Sequence, residues 1–354
     1  MENLKLLMIV QILDSNDSVF GFLNDWILEL NKNVKNLYIV TLFKGTCNLN
    51  GDIEVFSLGK EKKKSKFRYI LNLYRIVIPL ARKKKINGIF VFQGGWYPIL
   101  LRFVKTIFNL KLIQWKTHSV MNLKTFLNFM VVDKLLTASY AYSKRKHVKL
   151  MGHAINTDRF KSNQSVVRKN RIIIVGRISS VKRNIEALEI FEQLISQKKY
   201  NLFKLEFIGI PITKKEKKYF ENLKKLCDQK GLSDAVCFKG KVAHDELPQV
   251  YNSAFLSLSM GSIGSLDKVI LESMSCETPV IMRTSSINDQ LGEYKKLLYA
   301  VDDAQTLKSI REIINMKNQE YTKMGNELRD IVIKNHSLKN FMKDVVHEFQ
   351  APKK

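Results

Sequence analysis

The sequence is short of cysteine, of long apolar runs and of acid, and each shortage excludes something. Four cysteines stand at 47, 227, 237 and 276 among 354 residues. No two form a C-x-x-C pair, and their spacing offers neither a zinc-ligand pattern nor a disulfide framework. The expectation is a chain that works in a reducing, cytoplasmic setting. No apolar stretch reaches the roughly 18 uncharged residues of a membrane-spanning helix. The opening MENLKLLMIVQILD has one Lys ahead of its apolar stretch and no small-residue cleavage site. It reads as a first strand and not as a signal peptide. A G-x-G-x-x-G fingerprint is missing after that strand, and G-x-x-x-x-G-K-S/T is missing throughout. Dehydrogenase-like dinucleotide binding and P-loop chemistry are thereby disfavoured. Tyr140 and Lys144 have Y-x-x-x-K spacing but no glycine fingerprint to serve. Low-complexity tracts and short repeats are also missing.

The shortage of acid matters most. Lys and Arg number 59 against 33 Asp and Glu, a formal net charge of +26. Residues 1–160 hold 26 cations against 10 acids, and the remaining 194 residues hold 33 against 23. The partners that suit such a charge are nucleic acid, an anionic membrane surface or a phosphorylated substrate. A lysine-rich composition with solvated side chains is the alternative. The densest run is KEKKKSKFRYILNLYRIVIPLARKKK, residues 60–85, with eleven Lys or Arg against one Glu. Lys62, Lys63, Lys64, Lys66 and Arg68 lead it, and Phe67, Tyr69 and Tyr74 are interleaved. That is the pattern of a helix lying on anionic lipid, or else of an ordinary surface helix with solvated ends. No nucleic-acid module is recognisable, so no specific nucleic-acid partner is expected.

Short apolar runs alternate with helical patterns. Residues 6–12, 37–43, 53–58, 88–93, 110–115 and 134–139 read as strands, with amphipathic stretches at 21–31, 67–85 and 121–130. Near-continuous apolar strands joined by helical crossovers predict parallel sheets covered on both faces. The pattern restarts at RIIIVGRI, residues 171–178. Strands are then expected at 204–210, 235–242, 254–260 and 279–284, with helices over 182–198, 214–229 and the segment before Pro279. Two Rossmann-like domains facing each other across a cleft are predicted, since α/β sheets bind ligands at the C-terminal ends of their strands. The expected boundaries are 1–165 for the first domain and 166–317 for the second. Two further helices over 318–354 are expected to pack back on the first domain.

Two segments carry candidate chemistry. VGRISSVKRN, residues 175–184, ends a strand at Gly176, puts Arg177 in the turn and Lys182 where a helix begins. Two cations and a helix N-terminus at a strand tip make an anion site suited to a diphosphate; solvated basic residues are the alternative. In SIGSLDKVILESMSCETPVI, residues 262–281, a small polar stretch lets the backbone approach a ligand. Asp267 lies near a helix start. Glu272 is set among Val269, Ile270, Leu271 and Met274, so its carboxylate must pair, snorkel or accept ligand hydrogen bonds. Vicinal ribose hydroxyls would suit it, and a helix-surface Glu is the alternative.

Strand, G-R, Lys, helix, then FIG, FKGKVAHDELPQVYNSAFLSLS and SIGSLDKVILESMSCETPVI together resemble the C-terminal half of a family 4 glycosyltransferase of the GT-B fold. That family reads G-R, a Lys a few residues on, and a Glu-x7-Glu segment of the type EGFGLPVLEAMACGTPVI. The N-terminal half is similar through DSNDSVFGFLNDWILEL, DKLLTAS and GHAINTDRF. The resemblance implies a retaining hexosyltransferase that uses a nucleotide-diphosphate sugar and needs no metal ion or other cofactor. It implies that Arg177 and Lys182 hold the donor diphosphate and that Glu272 binds the ribose. Gly176, Gly264, Ser265, Leu266, Asp267 and Lys268 would complete the donor site. The first Glu of Glu-x7-Glu falls on Gly264, a departure that opens the alternative of a catalytically inactive sugar-nucleotide-binding protein. The run GSLDKVILE is similar to a subgroup with glycine, serine, aspartate and lysine there, which implies that Asp267 or Lys268 takes over part of that carboxylate's role. His118, after the strand LKLIQWKT, stands where the family has a histidine near the donor sugar. Asp14, Asp17 and Gly21, in the loop after the first strand, would shape the acceptor side. The acceptor implied is a glycan, a glycolipid or a lipid-linked glycan, with peripheral attachment to the inner face of the cell membrane through the basic run. The remaining alternative is a basic membrane-associated scaffold.

Overall fold

The computed structural model describes residues 3–17, 20–49, 51–63, 65–93, 95–117, 122–138, 147–261 and 266–352. The chain divides into two compact units, residues 1–152 with 338–354 and residues 153–337.

Unit 1 contains β1 (Lys5–Leu13), α1 (Leu23–Asn31), β2 (Asn36–Lys44), β3 (Glu54–Ser57), α2 (Lys66–Pro79), β4 (Gly88–Phe92), α3 (Tyr97–Leu100), α4 (Arg102–Ile107), β5 (Lys111–Lys116), α5 (Leu123–Val131), β6 (Lys134–Thr137) and β7 (Val148–Leu150). Its strands pair in parallel in the order β3-β2-β1-β4-β5-β6-β7. The order reverses between β1 and β4, the place where α/β sheets offer a ligand crevice. β4 is buried at every residue, which is why its sequence is an unbroken apolar run.

One face of this sheet is covered by α2, α3, α4 and α5 through Leu73, Val77, Leu100, Val104 and Phe129, with the flanking Leu101 and Val132, in one core with Leu7, Ile9, Ile89 and Leu112. On the other, Trp26 of α1 meets Phe92 at 5.3 Å and Trp115 at 5.7 Å. Phe341, from the chain's last helix, closes that cluster at 4.8 Å from Trp26 and 5.1 Å from Trp115.

Unit 2 runs β8 (Arg171–Val175), α6 (Asn184–Ile195), β9 (Lys204–Ile208), α7 (Lys214–Gln229), β10 (Val236–Gly240), α8 (Leu247–Ser253), β11 (Leu256–Ser259), α9 (Lys268–Ser275), β12 (Val280–Met282), α10 (Lys295–Leu298), α11 (Asp303–Ile314) and α12 (Asn318–His336); α13 (Leu338–Gln350) then returns to unit 1. The sheet is parallel in the order β10-β9-β8-β11-β12, with its reversal between β8 and β11.

The division differs from the sequence expectation at both crossings. The first falls after residue 152 and not at 165. Ile155 already belongs to unit 2, because its backbone bridges Ser337 and its N–H donates to the His336 carbonyl at 2.8 Å. The final helices also part company. α12 stays on unit 2: a Cβ at Gly325 would come within 2.8 Å of the Glu277 carbonyl oxygen, so the helix backbone lies directly against the end of α9. Only α13 packs on unit 1, through Phe341. The helices α3, α4, α8, α10 and α11 and the three-residue edge strand β7 were not anticipated; most are too short to show a period.

Candidate functional site

The loops after β8, β9 and β11 of unit 2 meet at the reversal point. Gly176 follows β8 with φ +130° and Gly209 follows β9 with φ +143°. A Cβ on Gly209 would lie 1.9 Å from the Gly176 carbonyl oxygen, so only glycine allows this approach. Past β11, a Cβ on Gly261 would meet the Val181 carbonyl at 3.3 Å and the Lys182 side chain at 3.6 Å.

Lys182 does not start a helix. It closes a 3-10 turn, Ser180–Lys182, and Arg183 then takes a left-handed φ of +52° before α6 begins at Asn184. Its stem passes over Gly176, where an added Cβ would be 3.8 Å from Cε. Its ammonium forms an ion pair with Asp267. Asp267 is the N-cap residue of α9, yet its side chain makes no capping bond and is turned to Lys182 instead. The β8 and β11 loops are thereby joined across the reversal point by one charge pair, beside the N-terminus of α9.

Arg177 is half exposed and reaches Glu216 at 3.3 Å. Glu216 is the third residue of the α7 capping box, accepting from the Thr213 and Ile212 N–H groups at 2.8 and 2.9 Å. The Thr213 N–H bond in particular holds its carboxyl below the ordinary glutamate range. Glu216 thus pairs with one guanidinium nitrogen of Arg177 near the strand tips.

Glu272 is buried on α9. Its Oε2 accepts from the Tyr251 hydroxyl at 3.0 Å, and its Oε1 lies 3.5 Å from His244 Nε2. Tyr251 is fully buried; desolvation, with the Glu272 charge added, raises its phenol well above the usual range, so it stays a donor. His244 packs edge-on to Phe160 at 5.2 Å. The far end of α9 is tied as firmly. Arg168 donates to the carbonyls of Cys276 and Glu277 at 3.2 and 2.9 Å, satisfying helix-end acceptors that have no intrahelical donor.

Leu266 is buried, and Lys268 begins α9. Gly264, Ser265 and His118 lie outside the described residues, as does Lys64. In unit 1, Asp14, Asp17 and Gly21 gather in the loop after β1, at the β1/β4 reversal. Asp14 and Asp17 fold that loop on itself, accepting from the Asn16 and Phe20 N–H groups at 3.0 and 2.8 Å. Gly21 lies where a Cβ would be 2.8 Å from the carbonyls of Ser15 and Asp17.

The structure thus brings Gly176, Lys182 and Asp267 together, with Arg177 on the same loop, and places Glu272 on the adjoining helix. Tyr251, His244, Gly209 and Gly261 were not singled out from sequence. The first two stand in FKGKVAHDELPQVYNSAF, a segment read only for its resemblance.

Residues 156–331, which span this constellation, match the family model for glycosyl transferases group 1. No curated protein matches the sequence. Among solved structures, Alr3699/HepE of Anabaena, determined with UDP and glucose, is similar at a TM-score of 0.76 and 13% identity over 99% of this chain and 100% of that one. Sucrose-phosphate synthase from Thermosynechococcus elongatus is similar at 0.72 and 14% identity over 98% of each chain. TarM of S. aureus, determined with fondaparinux, alpha-GlcNAc-glycerol and UDP, is similar at 0.70 and 12% identity over 99% of this chain and 100% of that one. These likenesses establish the fold as GT-B, with two Rossmann-like domains.

Proposed function

We propose that the protein is a glycosyltransferase that moves a sugar from a nucleotide-diphosphate donor to a hydroxyl acceptor. The observation that carries this reading is the Lys182–Asp267 and Arg177–Glu216 arrangement at the β8/β11 reversal, within the stretch that matches glycosyl transferases group 1. In such a transfer the bond from the anomeric carbon to the phosphate oxygen breaks and the diphosphate leaves with its charge. A bond from the acceptor oxygen to that carbon forms, and the acceptor proton is released. In this reading Arg177, Lys182 and the N–H groups at the start of α9 take up the leaving charge, work that a divalent ion does in other enzymes.

In this reading Glu272, with one oxygen anchored by Tyr251, accepts from the ribose hydroxyls. Leu266, Asp267 and Lys268, with Gly264 and Ser265, border the donor sugar, and His118 approaches it. Retention at the anomeric carbon, a hexose donor and independence of metal belong to the same reading and come from the resemblance. The acceptor is a glycan, a glycolipid or a lipid-linked glycan met at the inner face of the cell membrane, on the side of Asp14, Asp17 and Gly21.

The test is a panel of nucleotide sugars screened for turnover, with UDP as the first binding probe. Arg177→Ala and Lys182→Ala are each expected to lower kcat/KM by about 10²-fold or more, the scale for losing one charge-stabilising donor. Wild-type turnover in either variant would overturn the assignment. A second reading has its own observation, Gly264 in place of the family's first Glu: binding of a nucleotide sugar without turnover of any would mark a binding protein that has lost catalysis.

A further inference from the structure

Every large apolar side chain exposed on unit 1 among the described residues lies between 67 and 130, and so does every exposed aromatic ring of the whole described chain. On α5, Leu123, Phe126 and Met130 fall at i, i+3 and i+7 and form one outward stripe, with Leu123 and Met130 72% and 73% exposed. Thr125 and Asn128 are turned inward. The inward side of α5 mixes these polar residues with Val131 and the half-buried Phe129. Its polar side chains are used within the protein, Thr125 accepting from Lys116 at 2.5 Å and Asn128 donating to the Gly95 carbonyl at 2.9 Å. Its apolar stripe faces outward.

The neighbouring helices repeat the pattern. α4 exposes Phe103 and Ile107 at 73% and 74%, one turn apart. α2 exposes Phe67, Leu71 and Ile78 along one side. These helices lie side by side on one sheet face: the Tyr74 hydroxyl donates to the Leu100 carbonyl at 2.5 Å, and Lys105 of α4 donates to the Val131 carbonyl at 2.7 Å. Residues 62–132, which contain all of them, hold fifteen Lys or Arg and no Asp or Glu. Two of these cations are ion-paired, Lys105 with Asp133 at 2.8 Å and Lys84 with Glu54 at 3.1 Å, and the excess remains positive. Exposed apolar stripes within such a cationic excess match an interface of apolar chains beneath anionic groups. No helix among the described residues is long and apolar enough to cross a membrane, so attachment would lie in the interface.

We propose that the outer surface of α2, α4 and α5 seats on a bilayer rich in anionic phospholipid, with Phe103, Ile107, Leu123, Phe126 and Met130 entering the acyl boundary and the cations meeting headgroups. This goes beyond attachment by the lysine run at 60–85: charge brings the surface to the lipid, and apolar insertion holds it there. It does not depend on the glycosyl-transfer reading.

The experiment is co-sedimentation of the full chain with vesicles of phosphatidylglycerol and phosphatidylcholine, against phosphatidylcholine alone, at low and high salt. Wild type is expected to bind the anionic vesicles, to weaken with salt and to keep a residual bound fraction that a purely ionic contact would lose. Phe103→Ser, Ile107→Ser, Phe126→Ser and Met130→Ser combined are expected to lower partitioning by about tenfold or more. The milder pair Leu123→Ser and Met130→Ser, on helix surface alone, serves if the first variant does not fold; an unchanged thermal melt checks both. Failure of wild type to bind anionic vesicles, or equal binding by a folded variant, overturns the proposal. So does a wild-type dimer in light scattering that the same substitutions dissolve, because a second copy of the chain would then be the occupant.

Discussion

Glu277 is the residue at which a general rule is broken. It follows the C-terminal turn of α9 with φ +57°, and the Thr278 N–H reaches back to the Ser273 carbonyl at 3.0 Å. That closure uses the left-handed conformation in which a Cβ is costly, and glycine is its usual occupant. Glu277→Gly is expected to raise stability by about 1 kcal/mol, read as a higher urea midpoint without a change in slope. An unchanged midpoint would mean that the glutamate side chain offsets its backbone strain. At Glu272 the expectation runs the other way. Tyr251→Phe removes the donor to a buried carboxylate and should cost about 1.5–3 kcal/mol. The same change in a Glu272→Gln background should cost less, and equal losses in both backgrounds would show that the hydroxyl does not act through the charge.

Among the elements, α13 is the most informative, because it is distant in sequence from everything it covers. Phe341 fills the space between Trp26 and Trp115 and is nearly fully buried. Phe341→Ala should destabilise unit 1 by about 3–5 kcal/mol. Native-state hydrogen exchange would show the loss in β4 and β5 and leave β8 and β9 protected; uniform loss across both units would refute the assignment of α13. On α12, Gly325→Ala would drive a Cβ against the Glu277 carbonyl, where the backbone cannot rotate away. A loss of about 1–3 kcal/mol, confined to unit 2, is expected.

At the scale of the whole molecule, unit 2 begins and ends at one place, where Ile155 bridges Ser337. His336 is buried at this closure: Nδ1 donates to the His153 carbonyl at 3.1 Å and Nε2 lies 3.0 Å from the Gln290 side chain. Burial lowers its pKa below the ordinary value. The folded state therefore refuses a proton that the unfolded chain accepts near pH 6.5. Its contribution to stability is intact above that pH and is lost as the pH falls from there through the folded value. Denaturant melts on either side of pH 6.5 should show a steeper decline in wild type than in His336→Gln, whatever the variant's stability at neutral pH. Parallel declines would place the acid sensitivity elsewhere.

The strands and long helices were legible in the sequence, because a parallel strand buried on both faces must be written as an apolar run and a crossover helix as a 3.6-residue period. The fit of α7 to 214–229 shows how far that goes, since its capping box is spelled out by Thr213 and Glu216. The charge at the strand tips could also be read, because glycine, Arg177 and Lys182 follow one strand within a few residues. What the sequence did not reveal was partnership. Lys182 meets Asp267, Glu272 meets Tyr251, and Phe341 meets Trp26, and each pair is separated by a stretch of chain whose pattern describes only itself. Sequence by itself determined which segments form strands and helices and where cations and carboxylates cluster, because those follow from neighbours along the chain. Only the tertiary structure decided which charges neutralise each other, which unit owns each closing helix and which apolar residues are left facing outward. Burial depends on what the rest of the chain brings alongside, and the sequence of α5 has the same amphipathic period whichever of its faces is turned in.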